Sequence, residues 1–315
     1  MKNILYIITP SQFLDCFTDF IIHKQSLGFI VNTYMVENIG NGTFNDIKAF
    51  LDGESEKIKD DYYVILGGNH KCIPSETNRK GRYVDSSYAQ TADKRYWRIV
   101  GRFPTDNEDE MRELCANAIR YEEHFVSYKE NLLMIAATEL NIDKAKTIAG
   151  ALKTQFASVG EIYTNREGKQ EVLDQLNANV SCFINYMGHG NSGAWALKLY
   201  GNGRRTESVK STEIPQFTIP VHILSWACST ANVKKDKCLG TEFLMKGAVS
   251  FWGACSFSYG LSNRIMADMF WDIYVSSNCP QHLGEIYLQI YKKYLGVKKG
   301  CKQYMLLGDP TLKIR

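Results

Sequence analysis

Short apolar runs alternate with longer amphipathic segments along nearly the whole chain. Several runs are continuous in Ile, Val, Leu and Phe, which is typical of strands covered on both faces of a parallel sheet. The predicted strands are residues 3–9, 30–36, 61–66, 96–100, 132–137, 161–163, 180–187, 221–225, 248–252 and 312–314. The predicted helices are residues 12–27, 43–51, 107–124, 143–157, 169–176, 239–246, 263–274 and 281–295. This alternation predicts an α/β fold with largely parallel sheets flanked by helices.

A weak boundary near residues 125–131 divides the chain into two sets of such elements. We therefore predict two packed α/β lobes, residues 1–128 and residues 129–315, of which the second contains the loops with candidate chemistry. Residues 69–95 are polar and rich in turn-forming residues, so they are expected to form a long surface loop.

Composition narrows the class of protein. The chain has 315 residues, 44% of them hydrophobic, which is enough for a substantial core. The 37 basic residues nearly balance the 34 acidic ones, which argues against a nucleic-acid binder. No apolar stretch is long enough to span a membrane, and residues 4–8 are too short for a signal-peptide core. We therefore expect a cytoplasmic protein without membrane or nucleic-acid partners. The nine scattered cysteines, without a C-x-x-C pair, disfavour a zinc site or a disulfide framework.

The sequence FINYMGHGNSGAW, residues 183–195, contains a G-x-G-x-x-G pattern at Gly188, Gly190 and Gly193. In a dinucleotide-binding loop this pattern follows a strand and begins a helix whose N-terminus meets the pyrophosphate. The sequence AWALKLYGNGRR offers only a short helix at best, and neither Glu207 nor Glu213 follows a second strand as the ribose-binding acid should. The pattern alone is therefore weak evidence for a dinucleotide-binding enzyme.

A histidine and a cysteine give the glycines a different use. His189 follows one apolar strand, and Cys228 follows the next, in VHILSWACST. Parallel strands joined by one crossover have their C-terminal ends side by side, so both residues are expected at one edge of the sheet. A nearby imidazole can remove the thiol proton and later protonate a departing amine. The alternatives are a packed or surface histidine and a cysteine that belongs to the core.

The same two turns would supply donors for a tetrahedral intermediate. The backbone N–H groups of Gly190 and Cys228 lie in strand-end turns where no helix or ladder need use them. Glycines on both sides of His189 would let the backbone approach the substrate and adopt a positive φ where required.

At these residues the sequence resembles the gingipain-like, C25-type cysteine peptidases of the caspase–gingipain–clostripain clan. The YMGHGNSGAW stretch is similar to the catalytic-histidine loop of that family, and SWACST is similar to its catalytic-cysteine strand end. DYYVILGGNHKCIP, GRFPTDNEDEMRELCANAIRYE, KGAVSFWGACSFSYG and MLLGDPTLKIR also resemble family segments, in order along nearly the whole chain. LSWACSTANV and LGTEFLMKGAVSFWGA are similar to the related CHAT-type caspase-like domains as well.

The resemblance implies a caspase-like fold of two α/β lobes, with residues 129–315 catalytic, and a cysteine endopeptidase that needs no metal or organic cofactor. It implies Cys228 as nucleophile, His189 as acid and base, and the N–H groups of Gly190 and Cys228 as oxyanion donors. Glu139, at the end of the strand LLMIAATEL, is carried over as the acid that orients the histidine, or it caps the following helix. Trp195 would line the substrate pocket, or it is a core tryptophan.

The sequence departs from the family pattern in ways that bear on specificity and control. Gingipains are exported and have a following immunoglobulin-like domain, and neither feature is expected here. Asp143 is the nearest match to the acid that binds a basic P1 side chain, but its spacing differs. The clan tends to cut after Arg, Lys, Asp or Asn, and Arg or Lys is our first expectation.

Control of the peptidase could lie in the chain itself or in a partner. If P1 is basic, Arg204 or Arg205 in GNGRRTESVK is a candidate self-cleavage site. A regulatory protein partner is the alternative means of control. A non-catalytic caspase-like interaction module is the alternative function.

Overall fold

A ten-stranded sheet runs through both predicted lobes. The computed structural model describes residues 3–77, 83–91, 97–124, 131–164, 168–199, 205–234, 237–276, 278–294 and 301–314. The strands are β1 (Ile4–Thr9), β2 (Ile30–Met35), β3 (Tyr62–Gly67), β4 (Glu76–Thr77), β5 (Tyr83–Val84), β6 (Arg98–Phe103), β7 (Asn131–Ala137), β8 (Ser158–Thr164), β9 (Phe183–Met187), β10 (His189–Asn191), β11 (Ala194–Leu199), β12 (Arg205–Lys210), β13 (His222–Trp226), β14 (Ser250–Ala254) and β15 (Tyr304–Gly308). The order in the large sheet is β2-β1-β3-β6-β15-β14-β13-β9-β7-β8.

Eight α-helices of the described chain connect and cover these strands. They are α1 (Thr18–Ser26), α2 (Phe44–Ile58), α3 (Glu108–Glu123), α4 (Glu139–Leu152), α5 (Lys169–Ala178), α6 (Leu239–Met245), α7 (Gly260–Val275) and α8 (Leu283–Tyr294). Among the residues described, no helix is both long and apolar enough to cross a membrane. The predicted α/β class with helices around a largely parallel sheet is confirmed.

The strand that joins the two halves of the sheet is not the one that the sequence pattern predicts. Residues 312–314 were expected to form the last strand, but Tyr304–Gly308 forms it instead. This strand, β15, pairs parallel with β6 and antiparallel with β14, whereas the other neighbours in the sheet are all parallel. Its position depends on two distant strands, which a local hydrophobic pattern does not reveal.

Two predicted helices differ most from the structure in where they begin. The segment predicted as a helix over residues 12–27 starts as a 3-10 helix, Ser11–Phe17, before α1. Helix α4 begins at Glu139, four residues before the predicted start at Asp143. Asp143 therefore lies inside the helix, one turn from the strand end, and this displacement matters for the site.

A buried ion cluster ties the C-terminal segment to the first lobe. The Nζ of Lys24 lies 2.6 Å from Oε2 of Glu122 and 2.7 Å from Oδ2 of Asp309, and all three side chains are buried. Oδ1 of Asp309 accepts hydrogen bonds from the N–H and the hydroxyl of Thr311. Burial opposes the charge of Lys24, but the carboxylates of Asp309 and Glu122 outweigh it and raise the pKa of the amine. The LLGDP segment is thus a structural element of the core.

The loop expected at the surface around residues 69–95 is anchored in the core where it is described. The Arg102 guanidinium, itself fully buried, donates two hydrogen bonds to the Asp85 carboxylate, at 2.6 and 2.8 Å. It also donates to the carbonyl oxygens of Gly68 and Ile73. Because paired buried charges are costly to separate, these contacts hold both described arms of the loop against β6.

His222 at the start of β13 is a neutral core histidine. It is completely buried, its Nδ1 lies 2.7 Å from Oγ of Ser250, and its ring stacks on Phe183 at 4.9 Å. Burial disfavours the charged imidazolium and lowers the pKa of His222 to about 3.

The depressed pKa of His222 predicts acid destabilisation. Between pH about 6.5 and about 3 the unfolded chain binds a proton at this residue that the folded chain does not bind. As the pH is lowered through this window, the free energy of unfolding should therefore decrease, by about 1.4 kcal/mol per pH unit from this residue. Denaturant unfolding of the wild type and His222→Gln across this range measures the effect. Equal pH slopes for the two proteins would contradict the prediction.

Candidate active site

Four neighbouring parallel strands end at one edge of the sheet and form a cleft there. Strand β13 lies between β14 and β9, and β9 lies between β13 and β7. The cleft has a volume of about 580 Å³. Its described lining follows these strand ends: Thr138, Glu139, Leu140 and Asn141 after β7, Gly188 and His189 after β9, Cys228 after β13, and Phe257, Ser258, Tyr259, Gly260, Asn263 and Arg264 after β14. Topology alone thus brings the predicted histidine, cysteine and glutamate to one cleft.

The His189 side chain is exposed just after β9, and hydrogen bonds from neighbouring residues hold its backbone in place. The hydroxyl of Tyr186 donates to the His189 carbonyl oxygen at 2.8 Å. The N–H of Gly188 donates to the carbonyl oxygen of Trp226 at 3.4 Å, which joins the two strand ends directly. The predicted adjacency of the two strands is confirmed by their parallel pairing, in which Met187 lies opposite Trp226.

The glycines beside His189 are needed for close approach and not for a special backbone angle. A Cβ on Gly190 would lie 2.8 Å from Cγ2 of Thr230 and 3.0 Å from Cβ of Ala227. A Cβ on Gly188 would lie 3.2 Å from Cβ of Ala137. Neither glycine has a positive φ, so the left-handed conformation that glycine would allow is not required here. Small size at these two positions lets the histidine loop pack against both neighbouring strand ends.

The chain after His189 forms strands rather than the helix of a dinucleotide-binding loop. Strands β10, β11 and β12 pair antiparallel as a small separate sheet, with Gly190 opposite Trp195. Gly190 is a buried residue of β10 and does not lie in the strand-end turn that the sequence predicts. It packs against the Cys228 turn, since a Cβ there would lie 3.1 Å from the Cys228 carbonyl oxygen. Without a helix N-terminus after the glycines, the G-x-G-x-x-G pattern has no anion-binding site of the dinucleotide type.

Cys228 sits in a tight turn immediately after β13. Ser229, the next residue, adopts the left-handed conformation with φ 59°, and its N–H donates to the carbonyl oxygen of Ser256 at 2.9 Å. Non-glycine residues in this region are uncommon and occur often at functional sites. The half-buried thiol faces the cleft and contacts Ser258, whose N–H lies 3.3 Å from Sγ.

Glu139 is exposed in the cleft wall, directly after a strained residue. Thr138 has φ 77°, which is rare for a β-branched residue, and it is the N-cap of α4. The side chain of Asn141 stabilises this turn, because its Nδ2 donates to the Ala137 carbonyl and to Oγ1 of Thr138. Glu139 is therefore held at the strand end, in the first turn of the helix.

The comparisons with known proteins agree with this geometry. The model of peptidase family C25 matches residues 2–315. The chain belongs to peptidase family C25. As a member it is a cysteine-type peptidase, a hydrolase that acts on proteins. No curated protein matches the chain in sequence.

Solved structures confirm the fold of this C25 peptidase. The complex of the Porphyromonas gingivalis RgpB pro- and mature domains has a TM-score of 0.85 and 21% identity, covering 99% of this chain and 79% of that one. The Arg-specific cysteine proteinase gingipain R (RgpB) has a TM-score of 0.83 and 20% identity, covering 100% and 78%. A structure described as a protease has a TM-score of 0.81 and 16% identity, covering 98% and 78%.

Two residues predicted for substrate binding in the C25 peptidase lie elsewhere. Trp195 is completely buried, stacks on Tyr186 at 4.6 Å, and its Nε1 donates to Oγ of Ser225 at 2.9 Å. It supports the site from the core, and the expectation that it lines the pocket was wrong. Asp143 is exposed one turn into α4 and is not among the described lining residues of the cleft. Both differences follow from local geometry. The indole of Trp195 on β11 faces the core, and because α4 begins at Glu139, Asp143 lies one turn along the helix and outside the cleft lining.

The candidate self-cleavage residues are only partly described. Arg204 lies outside the described residues, and Arg205 begins β12. No cluster of three or more His, Cys, Asp or Glu side chains suited to a metal ion occurs in the described part of the chain.

The loop after β14 supplies cleft residues that the sequence did not reveal. Ser258 contacts the Cys228 sulfur, Phe257 and Tyr259 flank it, and Asn263 and Arg264 follow on α7. Arg264 lies 3.4 Å from Oδ1 of Asn141 on the opposite wall. One signal was available, because CSFSYG follows a predicted strand and so had to lie at the same sheet edge as Cys228.

Proposed function

We propose that this C25 peptidase hydrolyses peptide bonds with Cys228 as nucleophile and His189 as acid and base. The observation that carries the proposal is that β9 and β13 are parallel neighbours whose ends place both residues in one cleft. The sulfur attacks the carbonyl carbon, and the N–H groups of Cys228 and Gly190 are the proposed donors to the oxyanion. His189 protonates the departing amine, and water then hydrolyses the thioester.

An electrophilic peptide probe tests the nucleophile independently of substrate choice. A peptide chloromethyl ketone with a basic P1 residue should alkylate Cys228 selectively, as identified by peptide mass mapping. His189→Ala should slow this labelling, because the Cys228 thiol would lose the acceptor for its proton and would form less of the reactive thiolate. Labelling spread evenly over the half-buried thiols of Cys72, Cys228 and Cys279 would instead favour a non-catalytic caspase-like module.

We propose that P1 is Arg or Lys and that Glu139 orients His189. The first part is supported by the likeness to the Arg-specific cysteine proteinase gingipain R, and the second by the exposed carboxylate of Glu139, which lines the same cleft as His189. Arg264 on the opposite wall of the cleft is the opposing consideration, because its guanidinium would favour an acidic or amide side chain.

A library of peptides varied at P1 separates these possibilities, and we expect Arg and Lys to give the highest kcat/KM. Glu139→Gln should lower kcat for all P1 residues by a similar factor of about tenfold if the carboxylate orients His189. A loss confined to basic P1 residues would instead make Glu139 a specificity residue. Asp143→Asn is the matched control, since that carboxylate lies outside the cleft, and it should change neither profile.

Control by self-cleavage or by a partner also belongs to this proposal. If P1 is basic and the segment around Arg204 and Arg205 is cut, the intact mass of active enzyme should show two fragments that Cys228→Ala lacks. A single uncut species in both proteins would reject self-cleavage. A regulatory partner is supported by the complex of pro- and mature domains in RgpB. Here it would cover the exposed apolar rim formed by Leu140, Phe257, Tyr259 and Leu261.

A further inference from the structure

Ser258 contacts the sulfur of Cys228 with three of its groups. Its N–H lies 3.3 Å and its hydroxyl oxygen 3.6 Å from Sγ, and its carbonyl oxygen accepts from the thiol at 3.3 Å. Ser258 is itself buried, at 3% exposure, so these contacts are shielded from water. The carbonyl can serve only the neutral thiol, whereas the two donors can serve the thiolate.

The direction of the Ser258 hydroxyl follows from the side chain of Asn263. The Trp226 carbonyl oxygen lies 3.3 Å from the Asn263 amide, and because a carbonyl can only accept, the Nδ2 group must face it. The other end, Oδ1, accepts from the hydroxyl of Tyr304 at 2.9 Å, which agrees with that orientation. Nδ2 also lies 3.0 Å from Oγ of Ser258. The serine oxygen is therefore an acceptor toward Asn263.

A hydroxyl that accepts from Asn263 has its own hydrogen left to donate. Among the described residues, the acceptor within reach of that hydrogen is Sγ of Cys228. We propose that Ser258 is a further catalytic residue, whose N–H and O–H groups stabilise the Cys228 thiolate, and that Asn263 is the positioning residue that turns the hydroxyl toward sulfur. The inference rests on the proposed role of Cys228 as the nucleophile.

The chemistry needs no additional reactant. The covalent S–H bond breaks and its proton passes to His189. The hydrogen bond from the thiol to the Ser258 carbonyl oxygen is thereby lost, and the negatively charged sulfur keeps the two Ser258 donors. Hydrogen bonds to a charged acceptor favour the charged form, so the fraction of reactive thiolate at neutral pH increases. Asn263, at 5% exposure, and Tyr304, at 1%, keep this arrangement rigid and dry.

The rate of alkylation of Cys228 by iodoacetamide across a range of pH measures its reactive thiolate, with mass mapping to resolve this cysteine from the others. Ser258→Ala should slow alkylation at neutral pH by about three- to tenfold, because the thiolate loses one of its two Ser258 donors. The matched control is Ser256→Ala, which removes a buried hydroxyl without a hydrogen-bond partner among the described residues, and its profile should match the wild type. The other charged or titratable groups of the cleft wall, His189, Glu139, Tyr259 and Arg264, are unchanged in both variants.

Asn263→Leu tests the positioning role. It frees the Ser258 hydroxyl to turn away, so alkylation should slow by a smaller factor than in Ser258→Ala. The double variant should be no slower than Ser258→Ala alone, since both changes remove one interaction. Alkylation profiles of Ser258→Ala that superimpose on the wild type would overturn the catalytic role, and additive effects would overturn the positioning role. A second outcome separates this inference from the proposed function. If Ser258→Ala slows alkylation as expected but the wild-type protein cleaves no peptide, the contact between Ser258 and the thiolate is supported and the proposed peptidase mechanism is not.

Discussion

Replacement of Cys228 by alanine is expected to reduce kcat/KM for peptide hydrolysis by about 10⁴-fold or more. The variant loses the only atom that forms the thioester in the proposed mechanism, and water attack without it must rely on the remaining cleft. The fold should be retained, because Cys228 is half-buried at a strand end and its side chain is small. The measurement is steady-state hydrolysis of the best peptide from the P1 library, with denaturant unfolding to show that stability is unchanged.

The matched control for this variant is Cys72→Ala. Cys72 is also a half-buried free cysteine, but it lies in the first lobe, where burial raises the pKa of its thiol. Its removal should leave hydrolysis at the wild-type rate. If purified Cys228→Ala hydrolyses the peptide at close to the wild-type rate, the proposed mechanism is wrong.

The largest effect on stability is expected from Lys24→Met. Methionine fills a similar volume, but it removes the ammonium group from two buried carboxylates: Asp309 loses its cation, and Glu122 keeps only the contact with Nε2 of His23 at 3.0 Å. Removal of one partner from a buried ion pair costs about 3–5 kcal/mol, and here one amine contacts two carboxylates. Denaturant unfolding at neutral pH should show a loss of this size in the free energy of unfolding.

Two further variants show whether unpaired charge causes that loss. Lys71→Met removes a lysine from an exposed pair, in which Nζ lies 3.9 Å from Asp106, and should change stability by less than about 1 kcal/mol. The triple variant Lys24→Met, Glu122→Gln, Asp309→Asn should recover part of the loss, because neutral amides are cheaper to bury than carboxylates. If Lys24→Met is as stable as Lys71→Met, the cluster does not hold the C-terminal segment in place.

Much of the fold could be predicted because buried parallel strands leave a strong local signal. Continuous apolar runs such as Tyr62–Gly67 and Phe183–Met187 sit near their predicted positions. The candidate site was predictable for a related reason. His189 and Cys228 each follow such a strand, and the alternation of strands and helices implies that parallel ends share one edge. Ordered family motifs then extended the interpretation along the whole chain.

Errors arose where an element depends on distant partners. Strand β15 exists because β6 and β14 flank it, and the residues expected to form it instead lie beyond it. Trp195 could face either side of a strand, and only the packing of its indole on Tyr186 puts it in the core. Asp143 moved out of the site because α4 begins at Glu139, a start that the strained Thr138 turn imposes.

The sequence by itself determined the class of fold, the family and the two residues at adjacent strand ends. It could do so because hydrophobic period and residue order are local properties of the chain. The tertiary structure alone decided which groups touch the sulfur. Ser258, Asn263 and Tyr304 come from a loop, a helix and a strand, and their hydrogen bonds to one another and to Cys228 exist only after β14, α7 and β15 have packed together. Hydrogen bonding acts over a few ångströms, and those distances are set by the folded chain and not by separation along the sequence.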